Sequence, residues 1–368
     1  MTKLDKARSI INRVDKEMAS LFCERMEAAR LVAEYKAEHG LPVFDAQREK
    51  EVIKNNSAFV ADDVLREYYV PFLQNVMDIS KGYQRRLLSG MKIAYSGVEG
   101  AFAHIASRRI FPDGEAVSYP DFSSAYEAVA SGDCDVAVLP VENSYAGEVG
   151  QVTDLVFQGG LYINGIYELA VNQNLLALPG ADITKIKTVV SHPQALAQCA
   201  SFISDHSLSS IPYENTALAA KYVKESGDMT LAAIASEETA ELYGLTVLAP
   251  KINMSGVNTT KFAVLSRALS TDVRGKGYCS VILFTVKNEA GSLAGAIDII
   301  GSHRFNMRTL RSRPLKGLLW EYYFYAELEG DVRSEEGKEM LCELKGLCDN
   351  VKVAGVYLPH MSIQEVKR

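Results

Sequence analysis

A chain of 368 residues is too long for one ordinary hydrophobic core, so two or three domains are expected. Hydrophobic residues at 48% and charged residues at 23% are the composition of a soluble globular protein, and a formal net charge of −7 argues against nucleic acid as a general partner. No apolar run approaches the ~20 residues of a membrane span, which excludes a helical membrane protein.

The opening residues Thr2-Lys3-Leu4-Asp5 alternate charge and carry no apolar h-region, so no signal peptide is expected. Six cysteines, at 23, 134, 199, 279, 342 and 348, form no Cys-x-x-Cys pair and stand apart from histidine at metal-ligand spacing. They read as reduced structural thiols, and the expected location is cytoplasmic. Charge is uneven along the chain. The first 90 residues carry 15 Lys+Arg against 14 Asp+Glu, and the remainder 24 against 32, so a near-neutral module rich in cations precedes an acidic body.

Apolar positions at 4, 7, 11, 14, 18 and 21 predict one long helix over 4–36, stopped by Gly40 and Pro42. A second helix is expected over 45–55, and a third from Ala61-Asp62-Asp63 to about Leu88. Ser89-Gly90 ends this all-α segment, which has no strand candidate. One residue breaks the pattern. Arg25 lies on the same heptad line as Leu4, Ile11, Met18 and Val32, where a packed helix should bury a hydrocarbon. Lys36 follows 11 residues later, on the same face and ~16 Å along the axis, so the two cations can bracket a small dianion. Taken alone they read as a solvated pair on a charged helix. Ser80 and Gln84, spaced i, i+4, share a face of the third helix.

From Lys92 the pattern changes to alternating strands and helices, with strands expected at 92–95, 136–140, 188–191 and 231–235. This predicts an open α/β sheet of two lobes with a cleft, the second lobe spanning roughly 168–240. After a linker at 270–276 the order restarts. Strands are expected over 280–286, 307–311, 322–328 and 351–357, with helices over 292–303 and 334–347. That order is βαββαβ, an α+β ferredoxin-like module. The expected domains are therefore 1–89, 91–268 and 278–359.

Arg8, Asp15, Glu24-Arg25, Lys36, Pro42-Val43, Asp45, Arg48-Glu49, Ser80 and Gln84 occur in an order and spacing that covers nearly the whole helical segment. Through them it resembles the all-helical class of chorismate mutase. The resemblance implies that Arg8, Arg25, Lys36 and Arg48 hold the carboxylates and ether oxygen of chorismate. Asp45, Ser80 and Gln84 would complete the hydrogen bonding. Geometry adds a constraint, because Arg8 and Arg25 are ~25 Å apart along a straight helix and about 100° apart around it. They cannot grip one small molecule from the same chain. A homodimer with a shared mutase site is expected, and a tetramer is compatible with it.

Four segments of the α/β body, Pro140-Val141-Glu142-Asn143-Ser144 with Gly147 and Thr153-Asp154-Leu155, Ser191–Leu196 with Gln198-Cys199, Asn215-Thr216-Ala217, and Ile234–Ser236 with Leu242–Leu245, resemble prephenate dehydratase. A fifth, Asn258-Thr259-Thr260-Lys261-Phe262, is close to the family's Thr-Arg-Phe site. The resemblance implies a dehydratase site drawn from Glu142, Asn143, Ser144, Ser191, His192, Thr216, Thr260, Lys261 and Phe262, with Thr260 at the leaving hydroxyl. Each Ser or Thr alone reads as a turn or helix cap, and His192 before Pro193 as a turn histidine. The chain departs from the family at Lys261, where Arg is usual. It departs again in Ser96-Gly97-Val98-Glu99-Gly100-Ala101-Phe102-Ala103, where Ala101 and Ala103 lack two hydroxyls and Ser96 is the candidate replacement. No Lys-Ser/Thr follows that turn, which excludes a phosphate loop. The implied reaction needs no metal or redox cofactor, and the chain carries no motif for either.

Ala290-Gly291-Ser292-Leu293 and Leu310-Arg311-Ser312-Arg313-Pro314 resemble the phenylalanine-binding motifs of the ACT regulatory domain of this enzyme family. Ser292 and Arg311 stand where Ala and Glu are usual. The implied effector is L-phenylalanine, held by Gly291, Ser292, Leu293, Arg311, Ser312, Arg313 and Pro314, and Trp320 nearby would report its binding. Taken alone, the two segments read as a helix start and an exposed basic turn. Arg313→Ala is expected to blunt inhibition with little effect on uninhibited turnover. The expected function is thus a mutase–dehydratase of phenylalanine biosynthesis taking chorismate to phenylpyruvate. The alternatives are a dehydratase acting on L-arogenate and a non-catalytic two-lobed sensor. Glu142-Asn143-Ser144 together with Thr260 speaks against the sensor, since binding alone would not need that set.

Overall fold

A computed structural model describes residues 2–254, 258–271, 277–315, 321–359 and 361–363. Trp320 and most of the expected linker, residues 272–276, lie outside them. The chain divides into two compact units, Met1–Lys92 and Ile93–Arg368.

The first unit is helical: α1 (Lys3–Glu38), α2 (Ala46–Ser57) and α3 (Asp63–Ser89). Each begins at a side-chain cap. Thr2 and Asp5 form a capping box on α1, Asp45 accepts from the Arg48 amide, and Asp62 accepts from the Val64 and Leu65 amides. The buried stripe of α3 is Leu73, Met77, Ser80 and Gln84, at helical spacing, and the buried residues of α1 are Ala29 and Ala33. Two alanines let α3 approach α1 closely, with polar side chains at one end of the seam. Residues 3–24 of α1 are all exposed. Leu4, Ile11, Met18 and Leu21 are 57%, 56%, 43% and 63% exposed.

The second unit opens with β1 (Lys92–Ser96), α4 (Phe102–Ile110), β2 (Glu115–Tyr119), α5 (Phe122–Ala130), β3 (Val136–Asn143), β4 (Gly147–Glu148), α6 (Gly150–Gln158) and β5 (Tyr162–Ala170). The chain then leaves for a second lobe, built from β6 (Asn174–Ala177), β7 (Thr188–Ser191), α7 (Pro193–Gln198), α8 (Ala200–Asp205), β8 (Ser209–Pro212), α9 (Thr216–Ser226), β9 (Leu231–Ala235), α10 (Glu237–Tyr243) and β10 (Thr246–Ala249). It returns as β11 (Thr259–Ser266), which lies antiparallel between β3 and β5. The second lobe is a five-stranded sheet in the order β10-β6-β9-β7-β8. Two crossing segments join the lobes, and they are hydrogen-bonded to each other. The Val171 amide donates to the Asn258 carbonyl (2.7 Å), the Gln173 amide to Asn253 Oδ1 (3.1 Å), and the Ile252 amide to the Gln173 carbonyl (2.8 Å).

A last module follows: β12 (Cys279–Thr285), α11 (Ser292–Ser302), β13 (Asn306–Pro314), β14 (Tyr322–Glu329), α12 (Glu335–Leu347) and β15 (Asn350–Tyr357), with β16 (Met361–Ser362) beyond it. Its strand order, β13-β14-β12-β15, is that of a ferredoxin-like sheet. Ile282, Phe284, Ala296, Ile300, Leu328, Met340 and Leu344 form its core. This sheet is not separate from the first lobe, because β15 pairs with β5 at Gly355 and Ile163. A Cβ at Gly355 would collide with the Ile163 carbonyl, so only glycine permits the joint.

Candidate active sites

In the helical unit, Arg25, Lys36, Asp45, Arg48, Ser80 and Gln84 line one cavity of about 340 Å³ together with Glu49, Met77 and Lys81. Helical spacing explains the convergence: α1 supplies Arg25 and Lys36, α2 its cap and first turn, and α3 the polar end of its buried stripe. Arg25 donates to Ser80 Oγ and to the Val76 carbonyl (3.3 Å), and Lys36 donates to the Val43 carbonyl (2.6 Å). Desolvation lowers the Arg25 pKa from its ordinary value, but a guanidinium remains charged at neutral pH. Four cations against Asp45 and Glu49 leave the lining net positive, which suits a small dianion.

Lys81 was not anticipated as a site residue. Its ammonium pairs with Glu49 (2.7 Å) and Asp78 (2.8 Å). Desolvation pulls its pKa down, and those two carboxylates more than reverse the effect. Its helical spacing from Met77 and Gln84 was the available signal. Arg8 is exposed on α1 and does not line the cavity.

Between the two α/β lobes lies a second cavity of about 300 Å³. Four of the anticipated dehydratase residues line it: Asn143 at the end of β3, His192 capping α7, Thr216 opening α9, and Thr260 on β11. Strand register brings two of them into contact. Thr260 lies opposite Asn143, whose Nδ2 donates to Thr260 Oγ1 at 2.9 Å and to Asn258 Oδ1 at 3.0 Å. Because Thr260 Oγ1 accepts that bond, its own proton remains free to be donated elsewhere. Gln173, Gln194, Gln198, Asn215 and Asn258 also line the cavity and were not singled out as site residues.

Five anticipated residues sit around this cavity without lining it. Ser191 is fully buried and donates to the Ile234 carbonyl at 2.6 Å. Phe262 is buried, and Ser144 closes the junction of β3 and β11 by accepting from the Thr259 amide. Glu142 lies opposite Lys261 in the register and pairs with it at 3.1 Å. No Lys or Arg lines the cavity among the described residues; instead α4 and α9 present their N-termini to it through Ala101-Phe102 and Asn215-Thr216. Free amides at helix starts attract anions without a formal charge. Ala101 supplies no side-chain cap, so the family departure there exposes the first turn of α4.

The strand expected over 307–311 extends through the C-terminal motif as β13, Asn306–Pro314. Arg311 and Arg313 pair in register with Tyr325 and Tyr323 of β14. Arg311 pairs with Glu142 at 2.5 Å. Arg313 donates to both oxygens of Asp154 at 2.8 and 3.2 Å, and Tyr323 Oη adds a third bond at 2.7 Å. Gly291 opens α11 at φ +89°, a conformation that favours glycine, and Ser292 and Leu293 follow in its first turn. These bonds change what the Arg313→Ala substitution should do. Removing a charged donor from a buried carboxylate costs about 1.5–3 kcal/mol. The variant is expected to lose several degrees in unfolding temperature and part of its uninhibited turnover, read by scanning calorimetry alongside the dehydratase assay.

Among the cavities of the described residues, one is cationic and helical and another is polar and set between α/β lobes, which is the layout of a multidomain enzyme. A model of the chorismate mutase type II family matches residues 7–85, and one of the prephenate dehydratase family matches residues 93–269. A bifunctional chorismate mutase/prephenate dehydratase of Aquifex aeolicus is 31% identical, covering 99% of this chain and 100% of its own length. Among solved structures, a prephenate dehydratase from Arthrobacter aurescens in complex with L-Phe is 25% identical, with a TM-score of 0.67 over 73% of this chain and 90% of that one. A protein described as the quorum-quenching acylase GqqA is 31% identical, with a TM-score of 0.68 over 73% and 98% of the two chains. One fold therefore carries more than one described activity, and chemistry must be argued from the sites. The chain belongs to the family of bifunctional chorismate mutase/prephenate dehydratases.

Proposed function

We propose that the helical unit rearranges chorismate to prephenate, that the cleft of the α/β unit converts prephenate to phenylpyruvate, and that the C-terminal module is an ACT domain sensing L-phenylalanine. In the first step an ether C–O bond breaks as a C–C bond forms, with no proton transfer. Arg25, Lys36 and Arg48, with Arg8 from a second protomer, hold the carboxylates and the ether oxygen. Asp45, Ser80 and Gln84 supply the remaining hydrogen bonds. Confinement of the reactive conformer and cationic stabilisation of the ether oxygen lower the barrier. The observation that carries this reading is the convergence of Arg25, Lys36, Arg48 and Gln84 on one net-positive cavity.

In the second step the ring carboxylate leaves as CO₂, its bonding electrons enter the ring, and the C4 hydroxyl departs. The ring becomes aromatic, and a proton converts the leaving group to water. Thr260, with its proton freed by the Asn143 bond, donates to that hydroxyl. Helix starts at Thr216 and Phe102 receive the carboxylates, and His192 lies on the same wall. Glu142, Ser144, Lys261 and Phe262 hold the strands that present Asn143 and Thr260, while Ser191 ties β7 to β9 beside His192. The test follows chorismate loss and phenylpyruvate formation by purified protein, with and without L-phenylalanine. Absence of phenylpyruvate from added prephenate would overturn it. L-arogenate belongs in the same assay. A cavity without a lining cation suits its zwitterionic side chain as well as a keto acid.

The effector reading rests on Gly291, Ser292 and Leu293 at the start of α11 and on Arg311, Ser312, Arg313 and Pro314 on β13. Arg311 and Arg313 reach Glu142 and Asp154, so a ligand that competed for them would act directly on the dehydratase lobe. The mutase site requires a dimer. Exposed Leu4, Ile11, Met18 and Leu21 form one stripe, and a second copy of α1 is the occupant that also brings Arg8 to the cavity. Sedimentation is expected to give a dimer or a tetramer. An active mutase sedimenting as a monomer would rule the shared site out. Six free thiols suit a reducing cytoplasm, and no helix among the described residues is long and apolar enough to cross a membrane.

A further inference from the structure

Among the described residues, two buried side-chain polar atoms lack a hydrogen-bond partner, Gln84 Oε1 and Gln173 Oε1. Each belongs to a residue lining one of the two cavities. Gln84 already has a role in the proposed mutase site, whereas Gln173 has none. Gln173 is 2% exposed and sits on the first crossing between the lobes, with its backbone amide and carbonyl both engaged by the second crossing. The backbone is therefore pinned and the side chain is not. Neighbouring amides are satisfied: Asn143 donates to Asn258 and Thr260, Asn258 donates to Gln198, and Asn174 donates to the Ala235 carbonyl. A buried carbonyl left without a donor is normally selected against, and one on a residue that lines a cavity points to a ligand that supplies the donor.

We infer that Gln173 is a further substrate-contacting residue of the dehydratase, accepting a hydrogen bond from the C4 hydroxyl that is expelled. This rests on the cleft being the dehydratase site. The chemistry of the substrate makes the assignment. At neutral pH the carboxylates and keto group of prephenate only accept, so the C4 hydroxyl is the one donor it offers. A hydroxyl whose proton is held by Gln173 turns its lone pairs elsewhere, and Thr260, which lines the same cavity, carries the free proton they need. Gln173 would thus fix the rotation of the leaving group, and Thr260 would protonate it. A site built to receive a hydroxyl also rejects analogues that lack it, because its carbonyl is then left unpaired.

The test uses the full-length protein with Gln173→Met, close in shape and without the acceptor, and with Gln173→Leu as a second variant. Removing an unpaired buried carbonyl should leave the unfolding temperature unchanged or raise it, while kcat/KM for prephenate falls by about 10–100-fold. Mutase turnover of the same samples reports the amount of folded enzyme. The discriminating measurement is inhibition by a prephenate analogue with hydrogen in place of the 4-hydroxyl. Its inhibition constant should be unchanged or lower in the variant, since the lost contact is absent from it and no carbonyl is left unpaired. Equal weakening of substrate and deoxy analogue would overturn the inference, as would a fall in unfolding temperature with prephenate turnover retained. A loss confined to L-arogenate would overturn it too, assigning the carbonyl to an ammonium group. If wild type itself makes no phenylpyruvate from prephenate, the reading of the cleft fails first and this assignment fails with it.

Discussion

Replacing Arg25 with alanine is expected to lower chorismate turnover by about 10²–10³-fold, the usual cost of removing one donor from a developing oxyanion. Arg25 is the cation that α1 carries into its own seam with α3, where its guanidinium lies against Ser80 and the Val76 carbonyl. Arg25→Lys should recover only part of the loss, because an ammonium keeps the charge but not the planar fork. Dehydratase activity should stay within a factor of about two, since that cleft is built wholly from the second unit. The checking measurement is a paired assay on one preparation, chorismate loss in the ultraviolet and phenylpyruvate in alkali. Loss of both activities in protein that remains folded would refute the division of labour.

Thr260→Val should give the reciprocal result, a fall of about 10²–10⁴-fold in phenylpyruvate formation, the range for losing a proton donor at the leaving group. Valine keeps the shape and β-branching of threonine on β11, and Asn143 Nδ2 still has Asn258 Oδ1 at 3.0 Å. The fold therefore survives the change, and mutase turnover should be unaffected. Thr260→Ser should retain most activity because it retains the hydroxyl. If Thr260→Val keeps more than about a third of wild-type turnover, the proton comes from another group and the proposed role of Thr260 falls.

Much of this molecule is visible in one dimension because its signals are local. Helical periodicity marked α1, and its single violation at Arg25 marked the mutase cavity. Buried apolar runs marked β1, β3, β7 and β9. The return strand β11 carried no comparable cue. It is legible only as a motif around Thr260, and the sequence reading assigned it no element. β5 went unassigned for a related reason. Its burial pattern alternates irregularly, and its edges pair with β11 on one side and with β15 and β16 on the other, contacts that local sequence does not show. Arg311 and Arg313 by themselves read as an exposed basic turn, because a run of cations reads as solvated and their carboxylate partners lie some 160 residues earlier.

Composition, periodicity and motif spacing were enough to predict three modules in order, a pair of cations on one helix face, and a second chain bringing Arg8 to them. Those follow from rise per residue and side-chain direction, which every helix obeys. Only the folded chain decided which polar residues of the α/β body line the cleft. Register sets Thr260 against Asn143 and turns Ser191 and Phe262 away. The pairing of two lobe crossings leaves the Gln173 carbonyl buried beside the cleft and unsatisfied. Both depend on contacts between residues roughly 80 to 120 apart in sequence, and strand pairing across such distances leaves no periodic trace in the chain.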